Sequence, residues 1–214
     1  MIAESSGEMP KYVVDDSGDL RPFNFDFKNS GKSLTFTSYA NTDALKNEQT
    51  TLKSNVKSNL TTLVTIILKP LNVVVETKDG YNYTGHLHIT SGYRCPTVNE
   101  KIFGHSNISQ HMIGEAADFQ ILGGNMYEEN KQIIKTIIQW MQNESINFKF
   151  GQLIIYNQKD GTDKNLEYVV QHTRYMHISL GNKCEIKWNN GSIKPRDTTA
   201  QEVMAIINSQ SSQS

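Results

Sequence analysis

Apolar residues at Val56, Leu60, Leu63, Val64, Ile67 and Leu71 recur at the three- and four-residue intervals that line one face of an α-helix. Lys69-Pro70 stops the pattern, because proline removes a backbone donor and its ring clashes with the preceding turn. The spacing predicts an amphipathic helix covering a core. A second long helix is predicted from Tyr127 to Gln142, with Ile133, Ile134, Ile137, Ile138 and Met141 as its buried stripe. Pro96 can open a short helix running from Thr97 to Ile102 and ended by Gly104, and a last helix is expected over Thr199 to Ile207.

Elsewhere the period falls to two. Val73 to Glu76, followed by Asp79-Gly80 and by Tyr81 and Tyr83, reads as a hairpin with a tight turn. HLHIT is a short strand with His86 and His88 on one face. FGQLIIY, from Phe150 to Tyr156, and the stretch Leu166 to His172 read as strands joined across Asp160-Gly161, and Asn190-Gly191 marks a last hairpin after Ile186. Tyr175, His177 and Ser179 alternate with Met176, Ile178 and Leu180, a polar face opposite a core face. The order of elements fits a single α+β domain in which helices flank an antiparallel sheet.

A chain of 214 residues can bury a sizeable core as one domain. Residues 1–30 are expected to form a flexible N-terminal segment, 31–195 the folded domain, and 196–214 a C-terminal helix and flexible tail. Charged residues are 20% of the chain and its net charge is −1, which leaves no electrostatic basis for a nucleic-acid partner. The most apolar region, Leu60 to Val75, is broken by Thr61, Thr62, Thr65, Lys69, Pro70 and Asn72, so no membrane partner is expected. The first twenty residues lack the basic start and apolar stretch of a secretory signal, and synthesis in a cytoplasm is the expectation. Cys95 and Cys184 are too few for a disulfide framework; sequence alone leaves one bridge between them open, buried free thiols are the default, and the chain is expected to be a monomer.

Candidate chemistry concentrates in Ser106 to Asp118, SNISQHMIGEAAD, and in RYMHIS downstream. Zinc accepts imidazole nitrogen and carboxylate oxygen, and a catalytic site uses three protein ligands with one position left open. His111, Asp118 and His177 supply that donor set. Ser109 to His111 reads as loop, Gly114 permits a sharp turn, and Ala116 to Phe119 reads as the start of a strand carrying Asp118 on one face. Residues seven apart also share a helix face, a reading that Gly114 opposes. His86 and His88 have no third ligand in suitable context and are read as strand-face residues.

Taken together, TSGYRCPTVNEKIFGHSNISQHMIGEAADF, FGQLIIY and YMHIS resemble the D-Ala-D-Ala carboxypeptidase-like zinc peptidases of the hedgehog/DD-peptidase fold, from about Tyr39 to Leu180. That family cleaves peptidoglycan stem peptides and includes carboxypeptidases, dipeptidases and phage endolysins. The resemblance implies that His111, Asp118 and His177 ligate Zn2+ and that Arg94 binds the polarised carbonyl oxygen or substrate carboxylate. It implies a substrate cleft lined by Ser109, Gln152 and Tyr175, the last replacing a tryptophan common in the family. His172 matches a functional histidine of some relatives and is the candidate general base, with Glu115 as the alternative.

The departures concern the proton acceptor. Many relatives carry an acid three residues before the last ligand, where this chain has Arg174; others carry one just after the QLI stretch, where it has Ile155, Tyr156 and Asn157. Two functions are therefore carried forward. One is an endolysin-like endopeptidase or carboxypeptidase whose partner is the peptidoglycan stem peptide, made in a host cytoplasm and acting on the wall after release or from a virion. The other is a catalytically impaired zinc-containing module that binds cell wall or builds a virion. Three ligands favour the enzyme, since a structural zinc normally has four, and the missing acid favours the module.

Overall fold

In the computed structural model the described residues are 12–14, 20–22, 34, 39–71, 86–103, 109–122, 126–143, 150–157, 165–191 and 194–210. The predicted hairpin over residues 73–83 and the Asp160-Gly161 turn lie outside them. A two-stranded antiparallel ribbon, β1 (Tyr12–Val14) and β2 (Leu20–Pro22), precedes α1 (Asp43–Thr50), whose first turn is capped by the Thr42 hydroxyl accepting from the Leu45 N–H.

The first apolar stripe forms α2 (Ser54–Leu63), and Val56, Leu60, Leu63, Val64, Ile67, Leu68 and Leu71 are buried as its spacing requires. The helix widens to π-type bonding over Val64–Leu68, where the Lys69 N–H reaches back five residues to the Val64 carbonyl. Such widening re-spaces the carbonyls beneath Pro70, so the helix runs on to Leu71 instead of breaking at the proline. Next come α3 (Pro96–Phe103) and α4 (Met126–Gln142), whose Ile133, Ile134, Ile137 and Ile138 are buried and whose Met141 packs partly buried against the core. The last helix, α6 (Ala200–Gln210), starts from a reciprocal cap in which Thr199 and Glu202 satisfy each other's backbone N–H groups.

One predicted strand is a helix. Leu166–Gln171 forms α5, capped by the Asn165 side chain, which accepts from the Tyr168 N–H at 2.9 Å. Val169 and Val170 favour a strand by propensity, but the cap and their joint burial against the core override that preference.

The main sheet has six strands in the order β3-β4-β6-β5-β7-β8, namely β3 (His86–Ser91), β4 (Ala116–Leu122), β5 (Phe150–Tyr156), β6 (Tyr175–Leu180), β7 (Glu185–Asn189) and β8 (Arg196–Thr198). It is mixed, not wholly antiparallel as expected, because β5 and β7 run parallel. The cause is edge occupancy: β4 and β5 already flank β6, so β7 reverses direction after β6 and settles on the outer edge of β5. To get there the chain crosses the start of β5 backbone against backbone. Gly181, at φ +151°, lies where an added Cβ would come within 2.7 Å of the Gly151 Cα, and the Cys184 N–H donates to the Phe150 carbonyl. That crossing exposes Cys184, while Cys95 is buried; both thiols are free.

Leu87 and Ile89 on β3, Ala117, Phe119 and Ile121 on β4, Leu153 and Ile155 on β5, Met176 and Ile178 on β6 and Ile186 and Trp188 on β7 join the helix stripes in one buried cluster. The alternate residues of the same strands project from the opposite face. Asp118, His177 and Ile154 stand side by side there, with Tyr175 and Tyr156 paired one step along. No described helix is long and apolar enough to cross a membrane.

Candidate metal centre

His111 sits on a single 3₁₀ turn (Gln110–Ile113), and the turn ends at Gly114 with φ +76°, a left-handed conformation that favours glycine. Close packing demands the same residue, since a Cβ on Gly114 would stand 2.7 Å from the Val56 carbonyl of α2. Asn59 of α2 adds a side-chain bond to the Ile113 carbonyl at 2.8 Å. The turn is thereby pinned to the helix while His111, 4% exposed, points to the sheet. Asp118 and His177 arrive from adjacent strands as direct cross-strand partners.

His177 Nδ1 lies 2.8 Å from Asp118 Oδ1, His111 Nε2 lies 3.3 Å from the same oxygen, and the two ring nitrogens are 3.2 Å apart. Tetrahedral zinc with bonds of about 2.0–2.1 Å separates its ligands by about 3.3 Å, so the three donors fit that ion. The other ring nitrogen of His111 donates to the Gly92 carbonyl at 2.7 Å, which leaves Nε2 as a lone-pair donor. The second Asp118 oxygen accepts from Arg94 Nη2 at 2.8 Å, and Arg94 Nε donates to the Ser91 hydroxyl at 2.8 Å.

Charge states agree with a metal-binding role. Burial alone would raise the Asp118 pKa, but its interactions with His111 and His177 outweigh it and hold the carboxyl well below its usual range. Burial lowers the His111 pKa against the opposing pull of Asp118, so its imidazole is neutral at pH 7. Carboxylate and neutral imidazole are the forms a metal requires. Among the described residues no second group of three or more His, Cys, Asp or Glu side chains converges in this way.

The remaining sequence candidates divide. Arg94 is at the centre, engaged with Asp118 and Ser91, where the resemblance implied a substrate oxygen. Tyr175 is beside it, stacked on Tyr156 with centroids 4.6 Å apart. Ser109 precedes the His111 turn and its carbonyl accepts from the Met112 N–H, while the Gln152 side chain turns to Glu185 at 2.7 Å. Glu115 turns to α2, accepting from Asn59 at 3.5 Å, and burial raises its pKa.

His172 makes its contacts with Tyr168 and Tyr127. It ends α5, its ring stacked on Tyr168 with centroids 4.1 Å apart and edge-on to Tyr127, and its Nδ1 lies 3.0 Å from the Tyr168 carbonyl oxygen. No contact joins it to His111, Asp118 or His177 among the described residues. The expected result for His172→Ala is therefore full zinc content, a stability loss of about 1 kcal/mol from the lost ring contacts, and kcat within about threefold of the parent. A kcat fall of a hundredfold with zinc retained would make it the base after all.

Sequence reasoning missed Ser91 and Gly92 as supports of the ligands, and Tyr156 as part of the site. Ser91 and Gly92 stand inside the SGYR motif, and Tyr156 shares strand parity with Gln152. A family model described as Peptidase M15 matches residues 38–160, a stretch that includes Arg94, His111 and Asp118 and ends before His177. Searches among curated proteins and among solved structures returned no match. With the family model matching more than half of the 214-residue chain and the His-Asp-His donors assembled in space, the chain belongs to the Peptidase M15 family of zinc-dependent metallopeptidases.

Proposed function

We propose that this protein hydrolyses peptide bonds of the peptidoglycan stem, as an endolysin-like endopeptidase or carboxypeptidase. The observation that carries the reading is the cluster of His111, Asp118 and His177, three donors and no fourth among the described residues, the count that distinguishes a catalytic zinc from a structural one. A zinc ion held there by His111, Asp118 and His177 would supply Lewis acidity and bring the pKa of water toward neutrality. The chain's own groups set the stage for it. Gly92 fixes the tautomer of His111, Arg94 turns Asp118 so that Oδ1 meets the two rings, and the Tyr156–Tyr175 stack walls one side of the centre.

The impaired-module alternative draws on one feature. Glu115 faces α2, His172 lies in its aromatic stack, and Arg174 occupies a position where many relatives have an acid. Incubating the purified protein with peptidoglycan and analysing released fragments by mass spectrometry separates the two. The expected result is cleavage that a chelator abolishes and added zinc restores. Absence of zinc-dependent cleavage across several peptidoglycan chemotypes sinks the enzyme reading, and the fragments identify the bond cut.

A further inference from the structure

Tyr156 stands at the metal-bearing face with a task still unassigned. On β5 it has the parity of Ile154, which is the cross-strand partner of His177, so its side chain leaves the sheet one step along from the donors. Its ring lies flat on Tyr175, with planes 11° apart, and Tyr175 is also its partner in the strand register. Stacking and register together hold the phenol rigid. Among the described residues its hydroxyl has no hydrogen-bond partner.

The strand register puts that ring on the face of Asp118 and His177, and the electrostatic surroundings agree. Burial and then the Asp118 charge raise the Tyr156 pKa, with Arg94 opposing, so the side chain senses both groups across the site. A phenol is protonated at neutral pH in any case, and these influences keep it a neutral donor. Arg94, the donor implied by family resemblance, is already engaged through Nε with Ser91 and through Nη2 with Asp118. A rigid donor not claimed by any described residue, on the sheet face that carries Asp118 and His177, is suited to stabilise charge developing on a substrate oxygen.

We infer that the Tyr156 hydroxyl donates a hydrogen bond to the carbonyl oxygen of the scissile peptide, with Tyr175 as its positioning partner. This rests on the peptidase reading above. It assigns Arg94 to holding a ligand and Tyr156 to contacting substrate.

Tyr156→Phe tests it, because the variant keeps the ring and its stack and removes one oxygen. On the stem peptide that the parent cleaves, kcat should fall about 10²–10³-fold with KM changed less than about threefold. Zinc per chain should stay at the parental value. Calorimetry on the zinc-loaded proteins with a phosphinic analogue of the cleaved bond should show affinity weakened by a similar factor, since its tetrahedral oxygens take the place of the developing charge. A kcat and analogue affinity within about threefold of the parent, or zinc lost together with activity, overturns the assignment. Should the parent neither cleave stem peptides nor bind the analogue, the peptidase reading fails and the inference falls with it.

Discussion

His111→Ala protein should purify with less than about a tenth of a zinc ion per chain and should release no peptidoglycan fragments above background. The expectation follows from the geometry of the donors. Changes to residues that merely orient metal ligands commonly weaken binding about 10–100-fold, and His111 is itself a donor, 3.2 Å from His177 Nδ1 and 3.3 Å from Asp118 Oδ1. Removing it leaves a carboxylate and one imidazole, which is short of the three ligands a catalytic site uses. The variant also strands the Gly92 carbonyl in a buried position, at a cost of about 1–3 kcal/mol, so circular dichroism must accompany the metal analysis. A folded His111→Ala protein that keeps stoichiometric zinc would refute the ligand assignment.

Arg94→Ala should be the most destabilising single change at the site. The pair it forms with Asp118 is largely out of solvent, with side-chain exposures of 9% and 18%, and removing one partner of such a pair costs about 3–5 kcal/mol. At about 2–4 °C per kcal/mol for a domain of this size, Tm should fall by roughly 6–20 °C. Zinc affinity should drop about 10–100-fold as well, since Asp118 loses the contact that orients it. Arg94→Lys should recover part of the stability through its charge, but a single ammonium cannot span Ser91 and Asp118 as the guanidinium fork does. Thermal melting and metal titration read both effects; a Tm within 2 °C of the parent with unchanged zinc affinity would leave Arg94 without its structural role.

How much of this was legible in the chain depended on whether the deciding physics was local. The stripes at Val56 to Leu71 and Ile133 to Ile138 identify buried helix faces directly, because burial and the helical period are properties of one segment. The donors were legible for a related reason: His, Asp and His are chosen by what zinc accepts, whatever the fold that gathers them. Leu166 to His172 was misread because Val169 and Val170 speak for a strand, while Asn165 and the packing speak for a helix. The parallel β5/β7 pair could not be read from either strand, since it follows from which edges of β6 are already taken. His172 and Tyr156 show the same limit at the site. Five residues of chain separate His172 from His177, yet the end of α5 turns it into an aromatic stack. Tyr156 is far away in sequence, and strand register brings it alongside.

The three donors also differ in what holds them. Asp118 and His177 belong to neighbouring strands inside a six-stranded sheet, so their spacing is set by ladder hydrogen bonds that require no ion. His111 rides on a short turn fastened to α2 through Gly114 and Asn59. An ion bound here would find two donors preset by the sheet and take its third from a separate part of the molecule. A zinc ion held by all three would clasp helix layer to sheet, and its affinity would report how well the two layers are docked.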